Sequence, residues 1–267
     1  MVIVGQALPA QQLPFPNFMH ICHVHLLGLT PYDDAWALQD RLAQEIASGQ
    51  RPPTLLLLEH PHVYTLGRRA KTQHLLWDKA MLAQKGVTVR SVDRGGDITY
   101  HGPGQLVGYP LLPLAPAGWQ SERLPQADFI GYIRKLEITL VEALSGLGLS
   151  AVPRQGLTGV WVPSDELDRR HAPAAPGMAQ PAKIASIGVK IDTRGISRHG
   201  FALNVNPDMS YWQGIIPCGL DGVTMISLAQ LIQPVPTMED VISFVISAFK
   251  SVFDFEMIFS SQNPYTR

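Results

Sequence analysis

The chain has 267 residues, which fits one large α/β domain or two average domains. Hydrophobic residues make up 46% and charged residues only 16% of the sequence, which allows a sizeable core and excludes a highly charged disordered protein. The formal net charge of −1 argues against a protein that binds nucleic acid through bulk electrostatics.

The cellular compartment is constrained by cysteine content and by the absence of a membrane pattern. Two cysteines, Cys22 and Cys218, do not make a disulfide framework. The first basic residue is Arg41, so the beginning of the chain lacks the basic region of a secretory signal. Residues 98–120 carry no Asp, Glu, Lys or Arg, but four prolines interrupt them, which disfavours a spanning helix. We therefore expect a soluble cytoplasmic protein with no membrane and no nucleic-acid partner.

Strands and helices alternate along the first half of the chain. A strand is predicted over 20–27, and Thr30 with Asp33 resembles a capping box in which Pro31 takes the first helical position. Apolar residues at helical spacing then continue to Gly49. The apolar run 54–58 fits a strand buried on both faces, and the alternation in 87–92 fits a half-buried strand.

The second half repeats this mixture of elements. An amphipathic helix is predicted over 129–144, followed by strands over 158–162 and 184–191. A further helix opens at Thr237, where Asp240 completes a capping pattern. No internal repeat and no linker between two comparable cores is evident, so the fold class is α/β (mixed α+β) in a single domain.

Three segments fall outside this regular pattern. We expect a loose N-terminal leader over 1–17 and a C-terminal tail over 260–267, with the folded domain over 18–259. Residues 163–182 are rich in prolines and charges, and a loop of that length is either a lid or disordered. We interpret 163–182 as a flexible, disordered insertion.

The densest chemical signal is the glycine-rich segment from Arg94 to Gln105. Glycines let the backbone approach a ligand closely, and Arg94, Thr99 and His101 supply donors beside them. The segment lacks the Lys-Ser/Thr ending of a phosphate-binding loop. From the residues alone, a binding site and a pair of tight hairpin turns remain equal alternatives.

Cys218 and Lys183 are further candidates. Pro217 and Gly219 place Cys218 on a turn that can present a thiol, although free cysteines are more often inert core residues, an alternative that applies more strongly to Cys22. Lys183 enters an apolar strand, where a lysine usually reaches out to solvent; beside a thiol it would instead favour the thiolate. The sequence alone does not place Lys183 next to Cys218.

Histidines raise the question of a metal site. His23 and His25 share one strand face, and His60 and His62 flank Pro61. A zinc site needs about four ligands at suitable spacing, and no second Cys/His cluster is tied to either pair. We therefore expect no metal.

Read together, the separated motifs resemble the lipoyl(octanoyl) transferase family, the octanoyl-carrier-protein:protein octanoyltransferases of lipoate biosynthesis. The resemblance extends from about His20 to Phe255. The motifs that carry it, in the order of the family, are Glu59-His60-Pro61, Tyr64-Thr65-Leu66-Gly67, the segment from Arg94 to Tyr109, Lys183-Ile184-Ala185-Ser186-Ile187-Gly188, His199-Gly200-Phe201-Ala202-Leu203-Asn204-Val205 and Ile216-Pro217-Cys218-Gly219.

The resemblance implies a fold and a set of roles. The fold would be a single domain similar to the catalytic domain of biotin and lipoate protein ligases. Cys218 would accept the acyl group and Lys183 would lower the pKa of its thiol. The acyl pocket would be lined by Arg94, Gly95, Gly96, Asp97, Ile98, Thr99, Tyr100, His101, Ser186, Ile187, Gly188, Gly200, Phe201 and Ala202. Whether His101 acts in catalysis or only in structure stays open.

The resemblance also implies the substrates. An octanoyl or lipoyl group would pass from the thioester of acyl carrier protein to Cys218. It would then pass to a lysine of lipoyl domains in 2-oxoacid dehydrogenase complexes or of the glycine cleavage H protein, with neither cofactor nor nucleotide.

Three alternatives remain at this point. An ATP-dependent lipoate or biotin ligase would share the fold but need no cysteine. A non-catalytic acyl-binding or histidine-rich metal-binding module would use the His20–His25 segment or the glycine-rich turns. A thiol hydrolase would use water instead of an amine as the acceptor.

Overall fold

The computed structural model describes residues 20–114, 126–170, 180–219, 222–260 and 264–265. Within them, the strands are β1 (Ile21–Leu29), β2 (Thr54–Glu59), β3 (Val63–Leu66), β4 (Thr88–Ser91), β5 (Ile98–His101), β6 (Gln105–Leu111), β7 (Val152–Arg154), β8 (Leu157–Val162), β9 (Ala182–Ile191), β10 (Ser197–Asn204) and β11 (Glu256–Phe259). The α-helices are α1 (Tyr32–Ala47), α2 (Lys79–Gln84), α3 (Gln126–Gly146), α4 (Ser164–Arg169) and α5 (Met238–Phe253).

Eight strands form one mixed sheet in the order β11-β1-β2-β6-β10-β9-β8-β7. The β1 strand runs parallel to both β11 and β2, and the other neighbours are antiparallel. A smaller sheet has the order β4-β3-β5, with β3 parallel to β4 and antiparallel to β5. The glycine-rich segment includes β5 of the small sheet and leads into β6 of the large sheet, so it joins the two sheets.

Helices cover both faces of the large sheet, which explains the uninterrupted apolar run of β2. Leu55 and Leu57 point into the core on the side of α3 and α5, whereas Leu56 and Leu58 point into the core beneath α1. Side chains of a strand alternate between faces, so a strand that is covered on both faces carries apolar side chains on both. The predicted double burial of 54–58 is confirmed.

The two capping boxes predicted from the sequence can be compared with the N-termini of α1 and α5. At α5 the capping box is confirmed, because the Thr237 hydroxyl accepts from the Asp240 amide and Asp240 bonds back to Thr237. At α1 it is wrong: the helix begins at Tyr32, Pro31 is the N-cap residue, and no side chain caps it. The Thr30 hydroxyl donates instead to the Leu27 carbonyl oxygen, 3.2 Å away, and so belongs to the turn that precedes the helix.

The segment 163–182 departs from the prediction of a disordered loop over its first third. Residues 164–169 form α4, where Leu167 packs into the main core and Glu166 accepts from the Arg170 guanidinium at 2.6 Å. The buried leucine and the ion pairs of Glu166 with Arg169 and Arg170 anchor a stretch whose charged composition predicted a loop. Residues 171–179, the leader 1–17 and most of the tail 260–267 lie outside the described residues, so the domain limits stay a prediction.

Candidate active site

Cys218 lies on a strained turn. It occupies the 3₁₀ turn Pro217–Gly219 with φ 58° and ψ 13°, a left-handed conformation that is uncommon for a residue with a side chain. A Cβ on the following Gly219 would lie 2.5 Å from an Asp97 carboxylate oxygen, so only glycine fits there. Strain held by surrounding structure concentrates at functional sites, and here it presents a half-buried thiol at a cavity wall.

Lys183 reaches this thiol from the main sheet. Its backbone amide donates to the Thr224 carbonyl oxygen at 2.8 Å, and its own carbonyl accepts from the Ile226 amide at 3.0 Å. The side chain is 3% exposed, and its Nζ donates a hydrogen bond to Cys218 Sγ at 3.2 Å. The structure therefore joins the two residues that the sequence could not bring together.

The Lys183 side chain is guided by its neighbours on β8. Its Nζ lies 5.3 Å from the centre of the Trp161 ring, where an ammonium group is attracted to the aromatic face. Its methylene chain crosses Gly159, because a Cβ there would meet Lys183 Cε at 2.6 Å. Both contacts hold the ammonium group over the thiol.

A cavity of about 510 Å³ opens beside this pair, within the size range of small-molecule sites. Of the binding residues predicted from the sequence, all except Tyr100 line it together with Cys218 and Lys183. Tyr100 is fully buried in a separate core cluster, where its hydroxyl lies 3.0 Å from His62 Nδ1. The structure therefore places Tyr100 away from the cavity, on the face of β5 opposite to the neighbouring Thr99 and His101.

Arg94 places a positive charge in the cavity wall. Its Nη2 donates to the Thr65 carbonyl oxygen at 2.6 Å and to the Thr65 hydroxyl at 2.8 Å, and its Nη1 donates to the Gly95 carbonyl oxygen. Burial lowers the pKa of this guanidinium, and the nearby Tyr32 and Cys218 partly offset this by raising it. The Tyr64–Gly67 motif thus serves to hold Arg94.

His101 is held as a neutral side chain. The Gln105 amide donates to the Tyr100 carbonyl and to Asn204 Oδ1, so its oxygen accepts from His101 Nδ1 at 2.8 Å. Complete burial lowers the pKa of His101 well below its usual value, and the neighbouring His60 lowers it further. Its Nε2 lies 3.5 Å from the Thr65 hydroxyl, so His101 belongs to the same hydrogen-bonded framework as Arg94.

Two further histidines serve the framework. His60 lies 2.7 Å from both the Thr30 carbonyl oxygen and the Tyr109 hydroxyl, and burial lowers its pKa to about 4. His199 Nε2 lies 2.8 Å from an Asp93 carboxylate oxygen and lines the cavity with its ring.

Several cavity residues were not predicted to line the acyl pocket. They are Tyr32, Arg69, Lys71, Tyr109, Phe129, Ile133, Gly156, Leu157, Thr158, Val189 and His199. Tyr109 and His199 stand at the ends of quoted motifs, so a wider reading of those motifs would have included them. Phe129 and Ile133 look like ordinary core positions of α3, and no sequence signal separates them from their neighbours.

The remaining sequence candidates have other surroundings. Cys22 is fully buried, and burial raises the pKa of its thiol to about 12. His62 stacks on Tyr211 with ring centres 4.0 Å apart. Across the described ranges, no group of three or more His, Cys, Asp or Glu side chains is arranged to hold a metal ion.

No helix in the described part of the chain has the length and hydropathy needed to cross a membrane.

Comparison with known proteins identifies the family. The family model of the lipoyl protein ligase A/B catalytic domain matches residues 31–250. An octanoyltransferase of Chloroflexus aggregans is 40% identical over 236 residues, covering 88% of this chain and 96% of the relative. An octanoyltransferase of Syntrophotalea carbinolica is 42% identical, covering 85% and 92%. The chain belongs to the octanoyltransferase family.

Solved structures agree at the level of the fold. A bi-partite lipoate protein ligase from Thermoplasma acidophilum superimposes with a TM-score of 0.65 at 16% identity, over 90% of this chain and 87% of that one. The family and the mixed α+β single-domain fold expected from the sequence are confirmed, and so is the enzyme class, an acyltransferase.

Proposed function

We propose that this acyltransferase moves an octanoyl or lipoyl group from the thioester of acyl carrier protein to a lysine of a lipoyl domain, through a thioester on Cys218. The observation that carries the proposal is the hydrogen bond of 3.2 Å between Lys183 Nζ and Cys218 Sγ at the cavity wall. The relatives named octanoyltransferase support the acyl group.

The first half-reaction exchanges one thioester for another at little cost in free energy. An ammonium group within hydrogen-bond distance favours the thiolate, which is the nucleophilic form of cysteine. The Cys218 thiolate attacks the thioester carbonyl, and the bond between that carbon and the carrier sulfur breaks. The departing thiolate takes a proton from Lys183, which leaves the carrier as a free thiol and Lys183 neutral.

The second half-reaction uses the neutral Lys183. The acceptor lysine amine attacks the carbonyl of the Cys218 thioester and gives its proton to Lys183. The bond to Sγ then breaks, which releases the amide and restores the thiolate–ammonium pair. A serine at position 218 would form a more stable ester, a poorer donor for this step, so the residue type fits the reaction.

The acceptors we propose are the lipoyl domains of 2-oxoacid dehydrogenase complexes and the glycine cleavage H protein, in the cytoplasm. The bi-partite lipoate protein ligase of Thermoplasma acidophilum, described together with its E2 lipoyl domain as a lipoylation system, supports this class of acceptor. Neither a metal nor a nucleotide takes part in the steps above.

Incubation with octanoyl-carrier protein without ATP tests the proposal. Intact mass spectrometry is expected to show one octanoyl adduct on the wild type and on Cys22→Ser, and no thioester on Cys218→Ser. Addition of a lipoyl domain is expected to move the acyl group to its lysine; release of free octanoate alone would indicate a thiol hydrolase. If no adduct forms, while ATP and free octanoate support transfer, the protein is a ligase and the proposal is wrong.

A further inference from the structure

The cavity carries more positive charge than the transferred group requires. Four cations line it, Arg69, Lys71, Arg94 and Lys183, and among the described lining residues the only carboxylate is that of Asp97. That carboxylate already accepts from the Ile98 amide at 2.6 Å and lies 2.8 Å from His74 Nδ1. An octanoyl group is neutral, and the Cys218 thiolate balances a single cation, so the remaining charge calls for an anionic ligand.

Two of the four cations are already engaged. Lys183 donates to Cys218, and Arg94 is buried and bonded to Thr65 and Gly95. Arg69 and Lys71 are exposed, and within the described ranges no acceptor or carboxylate pairs with either side chain. These two are therefore the cations that remain available to a ligand entering from solvent.

The backbone holds both residues at the rim of the cavity. The Arg69 amide donates to the Gly96 carbonyl oxygen at 3.0 Å, which fixes it beside the glycine-rich segment. The Lys71 carbonyl accepts from the His74 amide at 2.9 Å, at the start of the turn whose histidine packs against Asp97. Since the Asp97 carboxylate packs against Gly219, next to Cys218, the pair stands near the nucleophile and on the solvent side of it.

We propose that Arg69 and Lys71 bind the phosphodiester of the phosphopantetheine arm that carries the acyl thioester. This inference rests on the proposed function, because it concerns the donor of the first half-reaction. The arm must place its thioester at Cys218 while its phosphodiester stays attached to the carrier protein outside the cavity. A guanidinium and an ammonium group at the rim match a phosphate by charge and by hydrogen-bond geometry.

Two donors that differ only in phosphate test the assignment. Octanoyl-4′-phosphopantetheine and octanoyl-pantetheine are each incubated with the enzyme without acceptor, and the rate of acyl-Cys218 formation is followed by intact mass spectrometry. The variants are the double substitution Arg69→Gln/Lys71→Gln and, as the matched control, Arg68→Gln. Arg68 is an exposed cation on the same turn that does not line the cavity. Thermal melting checks that each variant is folded.

The wild type and Arg68→Gln are expected to prefer the phosphorylated thioester by about tenfold in kcat/KM, and the double variant to lose that preference. The preference is expected to shrink as salt is added, since exposed charges are screened. Equal rates with both thioesters in the wild type would overturn the inference and assign the cations to the acidic carrier or acceptor surface. A preference that survives in the double variant would also overturn it. If neither thioester gives an adduct while octanoyl-carrier protein does, the inference is wrong and the proposed function stands. If octanoyl-carrier protein also gives none, the proposed function fails and this inference with it.

Discussion

Gly159 controls the distance between Lys183 and Cys218, and the substitution Gly159→Ala tests this. The added Cβ would lie 2.6 Å from Lys183 Cε and 2.5 Å from the Ala185 carbonyl oxygen. The carbonyl belongs to a central strand and cannot move far, whereas a lysine side chain can. Gly159 also has φ +120°, a conformation that alanine rarely adopts.

The expected size of the effect follows from Coulomb's law. With an effective dielectric constant of about 20, a thiolate and an ammonium group at the 3.2 Å observed between Sγ and Nζ attract by about 5 kcal/mol. Displacement of Nζ to about 6 Å leaves about 3 kcal/mol. The variant is therefore expected to lose about 2 kcal/mol of the attraction within the pair, which corresponds to a factor of roughly thirty in a rate that depends on it. Backbone strain adds a loss of roughly 1–3 kcal/mol in the free energy of unfolding.

The assay is the rate at which iodoacetamide alkylates Cys218 at pH 7, together with the thermal melting temperature. Gly148→Ala is the matched control, because Gly148 also has a positive φ, of +77°, but a Cβ there would contact nothing within 4 Å. Both variants are expected to melt several degrees lower, and only Gly159→Ala to be alkylated about thirty times more slowly. Wild-type alkylation in a folded Gly159→Ala protein would refute the argument that this glycine positions the lysine.

Three other predictions concern reactivity and stability. Native protein is expected to be alkylated at Cys218 alone and denatured protein at both cysteines, because Cys22 is sealed in the core with a pKa of about 12; two labels on the native chain would contradict this. His60 has a pKa of about 4 in the folded protein, so below pH 6.5 the unfolded state binds more protons than the folded state. The free energy of unfolding is therefore expected to fall as the pH is lowered from 6.5 to 4, and His60 alone contributes up to about 3 kcal/mol of this fall. Denaturant titrations at pH 7 and 5 measure this, and His60→Gln is expected to flatten the dependence. Thr237→Ala is expected to cost about 1 kcal/mol through loss of the helix cap, with acyl transfer unchanged; an unchanged melting temperature would show that the cap contributes nothing.

Local patterns predicted the elements whose causes are local, whereas the central strands β6 and β10 were not predicted. The apolar run 54–58 forms β2, and the Thr237 capping box opens α5 where expected. The capping pattern at Thr30 failed because the same hydroxyl can serve a turn or a helix end, and the preceding Leu27 carbonyl lies within its reach. The helix at 164–169 was missed because its anchor, Leu167, is a single apolar residue among charges.

The candidate site was predictable only in part, for a similar reason. The glycine-rich segment supplied seven of the lining residues, which follow one another closely along the chain. Phe129 and Ile133 reach the wall from α3 only through the tertiary fold, and neither differs from the core positions around it in the sequence. Tyr100 was included because its neighbours belong to the wall, although alternation along β5 turns it into a different core.

The contact between Lys183 and Cys218 depends on the register of β9. Lys183 is paired with Trp161 of β8 on one side and bridged to Met225 on the other, and the amide bonds to 224 and 226 fix it between them. Because successive side chains of a strand point to opposite faces, a slip of one residue would turn Lys183 away from the cavity and Ile184 toward it. The fully buried Ile184 and Ala182 oppose such a slip, since it would take them out of the core. The apolar pattern of β9 thus fixes the register that stabilises the core, and the same register directs the lysine side chain toward Cys218.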